Sequence, residues 1–102
     1  MKHAETDSFW ADWSRLNSSE RELFKDAVRA LNDALAERGL RAVPEWPPKL
    51  RVRPMTGRPG IWELTWSFAG SDGRATFEIA DFDGQPGIRW RRVGRYDVYA
   101  QP

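Results

Sequence analysis

An α+β fold is predicted for this chain, with two N-terminal helices packed on one face of a small, twisted antiparallel β-sheet. Apolar residues recur every three to four positions up to residue 35 and every second position from residue 50 onward. Glycine or proline punctuates the later half at short intervals, too short for the crossovers that parallel strands need. The expected organisation is one domain over residues 1–102, helical over 1–40 and sheet over 49–102.

The first helix is expected from a cap at Asp7 or Ser8 through Arg15, with Phe9, Trp10 and Trp13 sharing a face. The lone His3 precedes it in a segment that reads as a frayed end, a poor place for catalysis or metal binding. Asn17-Ser18-Ser19 breaks the pattern, and Ser19 with Glu22 has the spacing of a capping box that opens a second helix. Leu23, Phe24, Ala27, Val28, Leu31, Ala34 and Leu35 form its buried stripe. Gly39 is placed to end it in a left-handed cap, with Leu40 closing over the last turn. Pro44, Pro47 and Pro48 around Trp46 forbid helix and make residues 41–48 an extended connection.

Strands are expected at about 50–54, 61–68, 74–81, 87–93 and 96–100, joined by turns at 56–60, 69–73, 83–87 and Gly94. Alternation puts Leu50, Val52, Trp62, Leu64, Trp66, Phe68, Ala75, Phe77, Ile79, Ile88 and Trp90 on one face, which covers the helices. The other face then holds Arg51, Arg53, Glu63, Thr65, Arg74, Thr76, Glu78, Arg89 and Arg91. Five arginines from three of these strands make this a candidate basic surface for phosphate or nucleic acid. The competing expectation is that Glu63 and Glu78 neutralise it across strands. Trp62, Trp66 and Trp90 follow the core period, whereas Trp46 among prolines is the ring expected to stay exposed.

With no cysteine, the chain has no disulfide, zinc-thiolate site or thiol nucleophile, and a cytoplasmic setting is expected. No apolar run is long enough to span a membrane, and MKHAETDSFW lacks the apolar stretch of a signal peptide. No metal site, phosphate-cradling glycine loop or serine–histidine pair is recognisable, so no cofactor or metal is expected. Net charge is only +1, but residues 1–40 carry six basic and eight acidic side chains and residues 41–102 carry ten and seven, so the halves come to −2 and +3. Arg89, Arg91, Arg92 and Arg95 fall within seven residues, a density that suits an anionic partner or an ion-paired strand.

Leu50-Arg51-Val52-Arg53, Gly57 and Gly60, Trp62-Glu63-Leu64-Thr65-Trp66 and Gly73-Arg74-Ala75-Thr76-Phe77 occur in the order found in the sheet of RelE/ParE-type toxins. Ile88-Arg89-Trp90-Arg91-Arg92-Val93-Gly94-Arg95-Tyr96-Asp97-Val98-Tyr99 is similar to the family's closing segment, in which a Trp-Arg-Arg-Ile-Gly run precedes a Thr-His-Asp-like turn. Over roughly residues 20–102 the chain resembles the RelE-like branch of this toxin–antitoxin superfamily. It departs from relatives at Arg95-Tyr96, where many have Thr-His, and at Thr65, where a basic residue is common. Histidine-dependent chemistry is therefore not open to it.

The resemblance implies a toxin that acts as a metal-free, ribosome-dependent mRNA endonuclease, restrained by a cognate antitoxin laid over the sheet or a helix groove. Two alternatives are a ParE-like inhibitor of DNA gyrase or topoisomerase and a catalytically silent nucleic-acid-binding module. For RNA cleavage, Arg53, Arg74 and Arg91 are the expected phosphate-gripping residues, because a guanidinium stays charged and binds two oxygens in one plane. Nearby cations would favour a phenolate base, either Tyr99, which resembles the C-terminal tyrosine of the mRNA-cleaving branch, or Tyr96, which takes the place of the histidine; Tyr99 is preferred because alternation puts Tyr96 with Val98 on the apolar side. Arg51, Arg53, Arg74, Arg89, Arg91 and Arg95 are the candidate nucleic-acid-binding residues.

Overall fold

A computed structural model of the chain describes residues 3–38, 50–67 and 73–102. The expected Gly39–Leu40 cap, the proline connection with Trp46, the Phe68 position and most of the 69–73 turn lie outside them. Along the chain come β1 (His3–Glu5), α1 (Asp7–Trp13), α2 (Ser18–Arg38), β2 (Arg53–Pro54), β3 (Trp62–Ser67), β4 (Gly73–Phe82), β5 (Gln85–Gly94) and a 3-10 helix (Tyr96–Ala100). The strands form one sheet in the order β1-β5-β4-β3-β2. Strands β2 to β5 pair antiparallel, as the sequence predicts.

Two features correct the sequence reading. The N-terminal segment is not frayed but adds a parallel edge strand, with His3 opposite Ile88 and Glu5 opposite Trp90, so the sheet is mixed. Residues 96–100 are not a strand but a 3-10 helix. Parallel pairing at β1 is possible because α1 and α2 lie between it and the rest of the sheet in sequence, the kind of crossover such pairing requires.

Both helix starts differ from expectation in their caps. Thr6, not Asp7 or Ser8, caps α1: its hydroxyl accepts from the Phe9 amide (3.1 Å) and donates to the Arg91 carbonyl (2.8 Å), tying the helix start to β5. The capping box of α2 is Asn17 with Glu20, two residues before the expected pair. The Asn17 side chain accepts from the Glu20 amide (2.8 Å) and the Glu20 carboxylate accepts from the Asn17 amide (2.9 Å). Amide and hydroxyl oxygens serve equally well as cap acceptors, so spacing alone does not choose between them.

The core lies between the helices and one sheet face. Phe9, Phe24, Ala27, Leu31, Leu64, Trp66, Ala75, Phe77, Ile88 and Trp90 are buried there, and Phe24 meets Trp90 and Trp66 edge-on at centroid distances of 5.1 and 6.2 Å. Leu23 and Ile79, both expected inside, are exposed. The β4–β5 turn, Asp83-Gly84, takes φ of 55° and 85°, the left-handed pair that suits a two-residue hairpin. Gly73 has another purpose, since a Cβ there would stand 2.3 Å from the Trp66 ring.

Two register shifts break the alternation. One lies between Thr65 and Ser67 on β3, where the Trp66 indole N–H donates to the Arg74 carbonyl (2.9 Å). On β5, Thr76 pairs with Arg92 whereas Phe77 pairs with Trp90, so Arg91 is an extra residue. Beyond this bulge Val93, opposite Ala75, turns into the core, and Arg92, opposite Thr76, turns away from it.

Candidate functional site

The sheet face away from the helices is where the sequence predicts an open basic surface. Its centre is instead covered by the 3-10 helix and the residues after it, with Val98 1% exposed and Pro102 buried. Beneath them Glu63, Thr65, Arg74 and Thr76 are all buried. The expected strand at 96–100 would have left these groups to solvent. A 3-10 helix following the bulge instead carries the chain over the sheet, and Val98 anchors it there.

Glu63 and Tyr99 form the chemical centre of this face. Arg53, whose side chain is 70% exposed, donates through Nε to Glu63 Oε1 across β2 and β3. The Tyr99 hydroxyl is hydrogen-bonded to Glu63, and its pKa is pushed up to about 12, first by burial and then by the Glu63 charge. The Arg74 and Arg53 charges oppose the shift without reversing it. This overturns the expectation of a cation-stabilised phenolate. Tyr99 is a neutral phenol throughout the physiological range, fit to donate a proton and unfit to act as a resting base.

The arginines are less uniform than alternation suggests. Arg74 is 6% exposed and donates through Nη1 to the Thr65 hydroxyl, so it is a buried element of the face, and Arg74→Ala would disturb packing as well as charge. Arg89 donates to Glu78 (2.7 Å), and Arg91 reaches the same carboxylate at 3.5 Å while its Nε donates to the Pro102 main-chain oxygen (2.9 Å). The expected cross-strand neutralisation is thus present. Arg95 lies on the helix side, paired with Glu20 at 2.7 Å and stacked over Trp66, so it is separated from the other candidates. Arg51 is exposed ahead of β2, at φ 49°. The Tyr96 side chain lies outside the described residues, and Tyr99 is the tyrosine whose surroundings are described. The face therefore brings together Arg53, Arg74 and Tyr99, with Arg91 at its margin.

Three participants escaped the sequence reading. Glu63 was visible as a neutralising charge, but its burial next to a phenol depends on the tail. Asp12 is buried where α1 meets the β5 bulge: its carboxylate accepts from Arg92 Nε (2.6 Å), Arg92 Nη2 (3.0 Å) and the Val93 amide (3.1 Å). Arg58, in the β2–β3 turn, lines a groove of about 440 Å³ with Arg91 and Arg92. Period-2 alternation sees neither bulges nor turns, so none of these contacts had a signal of its own.

Chemically, the Glu63–Tyr99 pair provides a proton acceptor hydrogen-bonded to a proton donor, flanked by guanidinium groups that favour negative charge. Among the described residues no group of three or more His, Asp or Glu side chains is placed to hold a metal ion. No described helix is long and apolar enough to cross a membrane.

No protein-family model matches the chain, and no curated protein matches it. Solved structures do. A YoeB/ParE toxin from Agrobacterium tumefaciens superposes with a TM-score of 0.62 at 19% identity, over 94% of this chain and 99% of that one. The RelB-RelE antitoxin-toxin complex from Methanococcus jannaschii superposes with a TM-score of 0.58 at 15% identity, over 95% of this chain and 94% of that one. The architecture is therefore the RelE/ParE-like toxin fold, as the sequence resemblance implied.

Proposed function

We propose that the chain is the toxin of a toxin–antitoxin pair and a metal-independent endonuclease of messenger RNA on the ribosome. The reading is carried by one observation, the hydrogen bond between Glu63 and a Tyr99 phenol held neutral beside Arg53 and Arg74. In the proposed reaction the Glu63 carboxylate takes the 2′-hydroxyl proton as the 2′-oxygen attacks phosphorus. The bond to the 5′-oxygen breaks, and the Tyr99 phenol protonates that leaving oxygen. Glu63 then returns its proton to Tyr99 through their shared hydrogen bond, leaving a 2′,3′-cyclic phosphate and a 5′-hydroxyl. Arg53, exposed at the rim, offsets the charge gathered on the phosphorane. The fold shared with a toxin solved together with its antitoxin supports a cognate antitoxin as partner.

A second reading, inhibition of gyrase or topoisomerase by binding alone, is favoured by the Arg89–Glu78 and Arg91–Glu78 pairs and by the burial of Arg74. These leave fewer cations to meet phosphate. Inducible expression in a bacterial host with 5′-end mapping of transcripts separates the readings. Wild type is expected to create new ends inside translated frames, and Glu63→Gln to reduce them by about 100-fold or more, with circular dichroism verifying that the variant folds. Intact messages with accumulating DNA breaks would instead assign the protein to the second reading.

A further inference from the structure

Beside the Tyr99 cluster, the β2–β3 turn, the β5 bulge and the last residues of the chain enclose the groove that Arg58 lines with Arg91 and Arg92. We propose that this groove binds a backbone phosphate of single-stranded RNA, with Arg58 as its principal cation, and so positions the strand next to Glu63 and Tyr99. The inference rests on the RNA-directed reading above.

Three observations carry it. Three arginines line the groove, and among the described residues no Asp or Glu side chain does. Arg91 Nε and Arg92 Nη1 already donate to main-chain oxygens of Pro102 and Gln101, at 2.9 and 3.0 Å. They are thus held pointing at oxygen acceptors at the groove wall, which is the ligand type a phosphate presents. The exposed Arg58 side chain has no hydrogen-bond or ion-pair partner among the described residues. Asp12 answers the charge of Arg92 and Glu78 that of Arg91, which leaves Arg58 as the groove arginine without an ion pair among the described residues. The tail joins the two places, because Tyr99 belongs to the cluster and Ala100, Gln101 and Pro102 belong to the groove wall. At about 440 Å³ the volume suits a nucleotide-sized ligand.

The test is fluorescence anisotropy of a short labelled oligouridine titrated with the full chain, repeated from about 50 to 200 mM salt. Arg58→Ala is expected to weaken binding about fivefold or more and to flatten the slope of log K against log salt by about 0.7, one phosphate contact on a single strand. Arg58→Lys should recover the slope. Arg29→Ala, on α2 and paired with Asp26, should change neither. Equal affinity and slope in wild type and Arg58→Ala would overturn the site, as would absence of binding by the wild type at low salt. Displacement of the RNA by about 1 mM inorganic phosphate at constant ionic strength would overturn the strand as ligand, because a free anion would then suffice. Binding that depends on Arg58 without any transcript cleavage keeps the groove and removes the nuclease reading. Cleavage with Arg58-independent binding does the reverse.

Discussion

At Tyr99, burial and a carboxylate outweigh two arginines, and the consequence extends beyond catalysis. Its pKa is about 12 in the folded chain against about 10 when unfolded. Between those values the unfolded state releases a proton that the folded state keeps, so the phenol favours folding fully below pH 10 and progressively less as pH rises toward 12. Urea midpoints measured at stepwise alkaline pH should therefore fall through this window, and fall less in Tyr99→Phe. Identical pH profiles in the two proteins would mean that the Tyr99 phenol is solvated like a free one. The arginines around it were legible in the sequence as a set of charges. Their individual states were not, because Arg53 at the rim and Arg74 beneath the tail occupy the same face in a period-2 reading and differ only in what covers them.

Between elements, the joint between α1 and β5 is the most informative. Past the bulge at Arg91, Asp12 takes two nitrogens of Arg92 and the Val93 amide, while Thr6 holds the Arg91 carbonyl. A single buried carboxylate thus closes the edge of β5 beyond the end of β1. Asp12→Ala should destabilise the protein by about 3 kcal/mol, since it removes the paired carboxylate of a largely buried guanidinium and the acceptor of a buried amide. Asp12→Asn should cost less, because the amide oxygen still accepts from Val93. Denaturant midpoints of the three proteins give the ranking, and equal loss in the two variants would contradict it.

Across the whole molecule, the sheet is covered on both sides, by helices on one and by the C-terminal segment on the other. Val98 and Pro102 are buried, and the Thr76 hydroxyl donates to the Pro102 oxygen (3.3 Å), so this segment is a structural layer as well as the carrier of Tyr99. Deleting residues 98–102 should lower stability by about 3 kcal/mol or more, from lost apolar burial and from the uncovering of Glu63, Arg74 and Thr76. Chemical denaturation checks the loss, and a deletion as stable as the full chain would show that the segment contributes nothing to the fold.

The amino-acid sequence by itself determined the class of fold, both helices and the strands β3 to β5. Each of these rests on a local period: every three to four residues for the stripe Phe24, Ala27, Leu31, and every second residue for Leu64 with Trp66 and for Ala75 with Phe77. It also carried a resemblance to RelE/ParE-type toxins that the fold bears out. Tertiary structure alone decided the rest. A three-residue edge strand is too short to show a period, a bulge of one residue reverses which side chains face the core, and Tyr96–Ala100 alternates like a strand while folding as a 3-10 helix. The candidate site depends on the last of these, since Glu63 and Arg74 acquire their burial and Tyr99 its partner only when the 3-10 helix lies over the sheet.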